Sequence, residues 1–147
     1  MKRILSVFLI LTLLFSFAGC GAMGVSFYVE DGIANINNAY FAPTMYLCDD
    51  EETKTSDDVL WQELVFAIHG QPVVESPALR VEECDCEIEY IIRVIGAYPK
   101  GYYLSLHEDG IEISAYCKFR KCMDLLGIVK VDEESLERIA KRIEEIK

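Results

Sequence analysis

Histidine is scarce. The 147-residue chain has two, His69 and His107, so imidazole chemistry has few places to sit. The common nucleophile and phosphate motifs are missing too. No G-x-S-x-G, P-loop or H-E-x-x-H occurs, so the reactions those motifs mark have no signature here. No C-x-x-C redox pair is present. The spacings that do occur, Cys84-x-Cys86 and Cys117-x4-Cys122, differ from the C-x2-C pairs of zinc sites; no metal or other cofactor is expected. No apolar run reaches the roughly 20 residues of a membrane-spanning helix. Basic residues are the minority, 14 against 25 acidic, which disfavours nucleic acid as a partner.

What is there begins with a leader. Lys2 and Arg3 precede an apolar run from Ile4 to Ala18, interrupted by Ser6, Thr12 and Ser16, which is the length of a signal-peptide core. The run ends in "FAGC", Phe17 to Cys20. These four residues resemble the lipobox of bacterial lipoproteins: an aliphatic residue, two small ones and a cysteine. Phe17 departs from the pattern, standing where leucine is commonest. The resemblance implies that residues 1–19 are removed and that Cys20 is acylated on sulfur and becomes the new N-terminus. The chain would then be exported and held at the cell membrane by lipid. Residues 20–24 form a short tether, and 25–147 a single domain long enough for a real core. Both basic residues of the leader are lost with it and no acidic ones are, so the remainder has 12 basic residues against 25 acidic, a balance of −13. That charge keeps the domain off anionic headgroups.

The pattern along the domain predicts an α+β fold, a mainly antiparallel sheet with helices packed on one face. Val25 to Asn38 reads as a hairpin around Asp31-Gly32, with Val25, Phe27, Val29, Ala34 and Ile36 on its apolar row. "TMYLC" (Thr44 to Cys48) is a short strand, and Asp49 to Asp58 an acidic, solvated loop. A helix capped by Thr55 or Ser56 runs to Gly70, a natural C′ residue. Val59, Leu60, Leu64, Phe66, Ala67 and Ile68 cover much of its circumference, so it is expected to be well buried. Gln71 to Arg80, with two prolines, is a loop. Cys84 to Ile95 alternates with period two and places Cys84 and Cys86 on the core row.

"LHEDGIEIS" (Leu106 to Ser114) is the clearest hairpin. A two-residue loop at Asp109-Gly110 pairs Leu106 with Ile113, His107 with Glu112, Ser105 with Ser114 and Tyr103 with Tyr116. Its "EDGI" repeats that of residues 30–33, but the two apolar rows are one residue out of phase. A one-residue slip exchanges the faces of a strand, so the shared letters spell a turn and not a duplication. "CKFRKCMDLLG" (Cys117 to Gly127) reads as a short amphipathic helix. "DEESLERIAKRIEEIK" (Asp132 to Lys147) reads as the last, with Asp132 as cap and Leu136, Ile139, Ala140, Ile143 and Ile146 on one face. Charge pairs are expected at Glu134–Arg138, Glu137–Lys141 and Lys141–Glu145.

Candidate chemistry is sparse. Cys48, Cys84, Cys86, Cys117 and Cys122 are structural, as disulfides or buried thiols, with a bridge expected between the Cys84/Cys86 pair and Cys117. His69 suits the dipole at its helix end. Tyr103, His107, Glu112 and Tyr116 make a patch on the outer face of the hairpin. "GYYLSLHEDGIEISA" (Gly101 to Ala115) resembles the hairpin of the non-catalytic N-terminal domain of bacterial β-hexosaminidases, a resemblance that implies a scaffold and no activity. The expected function is a small surface lipoprotein acting as a binding or accessory module for a protein or envelope ligand. Alternatives are an envelope hydrolase using His107 and Glu112, and an acidic inhibitor or immunity-type protein.

Overall fold

The computed structural model describes residues 24–48, 52–74, 90–97, 100–108, 110–118 and 121–147. The leader, Cys20, Cys84 and Cys86 lie outside them. The first hairpin forms as the sequence predicts. β1 (Ser26–Glu30) pairs with β2 (Ile33–Asn37), and Glu30 opposite Ile33 leaves Asp31-Gly32 as the loop. Their φ angles of 52° and 76° are the two positive values a type I′ turn requires. Val25, Phe27, Ala34 and Ile36 are buried, while Val29 at the mouth of the turn is exposed.

The large sheet comprises β3 (Met45–Cys48), β4 (Thr53–Thr55), β5 (Val73–Val74), β6 (Tyr90–Ile95), β7 (Lys100–His107), β8 (Gly110–Cys117) and β9 (Cys122–Lys130), in the order β4-β3-β6-β7-β8-β9-β5. All its strand pairings are antiparallel. Helices α1 (Asp58–Ile68) and α2 (Glu133–Ile146) pack on one face with the first hairpin. Their apolar residues, among them Trp61, Leu64, Ile139 and Ile143, share one core with Met45, Ile92, Leu104 and Ile113 of the sheet. The α+β class follows directly.

Four local expectations change. Thr53–Thr55, within the stretch read as a loop, is the edge strand β4; its two β-branched residues pair with β3 across from Met45 and Leu47. The cap of α1 is Asp57, not Thr55 or Ser56: its carboxylate accepts from the Leu60 N–H at 2.8 Å. The Thr55 hydroxyl instead accepts from the Asp57 N–H. Val59 and Phe66 face solvent, so α1 is buried along a stripe and not all round. The residues read as a helix from Cys117 are the end of β8, a turn at Lys118 and Lys121, and β9. Tertiary pairing wins there, because β9 is hydrogen-bonded to β8 on one side and β5 on the other.

α2 is capped by Asp132, which accepts from the Ser135 N–H. Glu134–Arg138 forms at 3.0 Å, whereas Glu145 takes Arg142 and not Lys141. Two cross-links join the helices. Arg138 reaches Glu63 at 3.1 Å, and Arg142 donates from Nε and Nη2 to both oxygens of Asp57, at 3.0 and 2.7 Å. The Arg142 hydrogen bonds, with the Leu60 N–H behind them, hold the Asp57 carboxyl below the usual carboxylate range. A depressed folded value means that stability is present above the unfolded value, about pH 4, and is lost as pH falls through the folded one. Asp57→Asn keeps a competent cap and removes the charge. It is expected to cost about 1 kcal/mol near neutral pH, after discounting for solvent screening. The difference from the parent should vanish in urea titrations run well below the carboxylate range. A cost that persists there would remove the ion pair as its cause.

Candidate binding face of the large sheet

The register of β7 and β8 differs from the sequence reading by two residues. His107 stands opposite Gly110, Leu106 opposite Ile111, Leu104 opposite Ile113, and Tyr103 opposite Ser114. A slip of two preserves the faces. Leu104, Leu106, Ile111 and Ile113 still line the core, and Tyr103, His107, Glu112 and Tyr116 still share the side away from the helices. The predicted patch therefore exists, but its cross-strand pairs change. Tyr116 lies opposite Gly101, and Glu112 opposite Ser105. His107 and Glu112 meet diagonally, with Nε2 3.8 Å from Oε2.

Reading the register across the sheet extends the face. Tyr46, Arg93, Tyr103, Ser114 and Leu125 form one row over five strands. Met123 lies opposite Tyr116 in the next row. The Arg93 guanidinium stacks 4.4 Å from the centroid of the Tyr46 ring and binds Glu52 at 2.7 Å. Leu125 and Met123 are 50% and 58% exposed. Arg93, Tyr46 and Leu125 escape sequence reasoning because their strands are far apart in the chain. Arg93 does occupy the polar phase of a period-2 strand, whereas the stretch that holds Leu125 read as a helix.

Ser114, Glu112 and His107 on this face are not ordered as a nucleophile triad. Glu112 accepts from the Ser114 hydroxyl at 3.4 Å and faces His107 on its other oxygen. The carboxylate thus sits between hydroxyl and imidazole, whereas nucleophile activation needs the imidazole in the middle. His107 Nδ1 and Arg93 Nε are buried and have no hydrogen-bond partner among the described residues. Cys48 lies at the end of β3. Burial pushes its thiol up, and the charge of Glu52 pushes it further, so the reactive thiolate is disfavoured. His69 follows the last turn of α1. Its Nδ1 accepts the Ile36 N–H at 3.0 Å, so the ring staples α1 to the first hairpin.

The cysteines also sit differently. Cys117 stands opposite Lys100 on β7 and opposite Cys122 on β9. No disulfide joins two of the described residues, and Cys48 and Cys122 are thiols. No group of three or more metal-binding side chains occurs among the described residues. A cleft between β3, β6 and the end of α2, lined by Leu47, Cys48, Tyr90, Ile92 and Ile143, holds about 20 Å³. That is room for one water and far below the roughly 300–1,000 Å³ of small-molecule sites. No described helix is long and apolar enough to cross a membrane. No family model matches the chain, and no curated protein or solved structure is significantly similar to it.

Proposed function

We propose that the chain is a surface lipoprotein, anchored to the bacterial cell membrane through Cys20, whose domain is a binding or accessory module and not an enzyme. The observation that carries the binding role is the contrast on the described surface. The cleft beside β3 and β6 takes one water, while a broad sheet face offers Tyr103, Tyr116, Met123 and Leu125 beside the stacked Arg93. Aromatic residues, methionine and arginine are the types enriched where proteins bind proteins. The partner is a protein or envelope ligand that lies flat on the sheet. A photo-crosslinking residue placed at Leu125 in host cells should give a covalent adduct of one defined mass, lost when Met123→Lys is added. Monomer alone at both positions 103 and 125 would overturn this role.

Anchoring rests on "FAGC" and is tested by intact mass. Expressed with its leader in a bacterial host, the chain should lose residues 1–19 and gain lipid on Cys20. Cys20→Ser should leave it unlipidated and in the soluble fraction. The same measurement, with thiols alkylated before and after reduction, reads the disulfide.

A further inference from the structure

Charge is distributed unevenly along this chain. Residues 20–29 carry none, and neither do residues 33–48, although charged residues make up 27% of the sequence. The fold gathers these two stretches. Gly24 and β1 lie beside the turn that leaves β2, because the Asn38 side-chain amide donates to the Gly24 carbonyl at 3.0 Å. The next residue is held as well: the Trp61 indole N–H donates to the Ala39 carbonyl at 2.8 Å. Asn38 itself is left-handed, with φ of 58°. Beyond these two clamps Tyr40 and Phe41 project into solvent, 88% and 83% exposed. They are the most exposed large apolar side chains among the described residues. Two fixed and adjacent aromatics with no local core to join are an interaction element.

What covers them is decided by the tether. Only three residues separate Gly24 from Cys20, and the four steps between them reach at most about 14 Å when fully extended. If Cys20 carries lipid, this end of the molecule is held within that distance of the headgroups. We propose that Tyr40 and Phe41 insert into the membrane interface and orient the domain on it. This rests on the lipoprotein reading above and deepens it, from a chain that is merely tethered to one with a defined seat. The chemistry fits a bilayer. Aromatic side chains, tyrosine among them, settle at headgroup depth, where the ring is buried and the hydroxyl stays wet. The uncharged stretches around them bring no ion to desolvate. The excess of 13 negative charges lies elsewhere on the chain and keeps other surfaces away from anionic lipid. Seated this way, the domain has one orientation instead of many.

The test uses the full chain, expressed with its leader, purified with its lipid and reconstituted into phosphatidylcholine vesicles. Phe41→Trp introduces an indole at a fully solvated position, so folding is not at risk. The parent's one tryptophan, Trp61, is 0% exposed, and its signal is subtracted. On reconstitution the added emission is expected to shift to the blue. It should lose more than half its intensity when the lipid carries bromine near the headgroup end of the acyl chains. Tyr40→Trp should behave alike. If intact mass shows lipid on Cys20 while both introduced indoles stay open to acrylamide and untouched by brominated lipid, the seat is refuted and the anchor stands. The same holds if they are shielded from acrylamide without lipid quenching, which would assign them to a protein contact. If Cys20 carries no lipid, the anchoring reading falls, and the seat with it.

Discussion

Trp61→Ala is expected to remove about 3–5 kcal/mol of stability, a large share of what a domain of this size has. Trp61 is 0% exposed. Its ring meets Phe27 edge-on, with centroids 6.2 Å apart and planes at 88°. Phe27 in turn leans on Tyr102 of β7 at 4.9 Å. The indole therefore joins three elements: α1, the first hairpin and the large sheet. Its N–H also holds the Ala39 carbonyl, so truncation opens a cavity and strands an acceptor. Two losses separate in Trp61→Phe, which keeps most of the volume and loses the donor. That variant should cost about 1–2 kcal/mol. Urea unfolding followed by far-ultraviolet circular dichroism reads both. A cost below about 1 kcal/mol for Trp61→Ala would mean the hairpin does not dock through this residue.

Gly110→Ala is the second, and the informative comparison is with Gly32. Both glycines belong to an "EDGI" stretch, yet they are needed for different reasons. At Gly32 the φ angle is +76° and an added Cβ meets nothing within 4 Å. Its demand is conformational, and asparagine, which tolerates that region, should replace it for well under 1 kcal/mol. At Gly110 an added Cβ would lie 2.2 Å from the Val129 carbonyl oxygen and 3.1 Å from its carbon. Both are backbone atoms of the neighbouring strand, which cannot swing aside as a side chain would. The β8–β9 pairing would have to open where Gly110 stands against Lys130 and Ile111 against Val129. A cost of about 3 kcal/mol, at the upper end for overpacking, is expected. Gly110→Asn should be at least as damaging as alanine. Equal tolerance of asparagine at both positions would refute the close approach. The stretches thus share spelling but neither register nor purpose, which agrees with apolar rows one residue out of phase.

The sequence by itself determined the elements whose signals are local. The Asp31-Gly32 turn is dictated by backbone sterics, and α2 by its cap and an apolar stripe at helical spacing. Which face of β6, β7 and β8 looks inward follows from period-2 alternation, and this placed Tyr103, His107, Glu112 and Tyr116 on one outer face. Only the tertiary structure decided who pairs with whom. Alternation is blind to a slip of two residues, so it could not fix the β7–β8 register, which places His107 opposite Gly110. The segment from Cys117 carries helical spacing and turns into strand because β8 and β5 offer pairing on both sides. β4 and β5 are too short to stand alone and exist because longer neighbours hydrogen-bond them. Exposure of Phe66, Tyr40 and Phe41 was equally out of reach. Hydrophobicity states what a residue would gain by burial, and only the packed fold determines whether a surface is there to bury it.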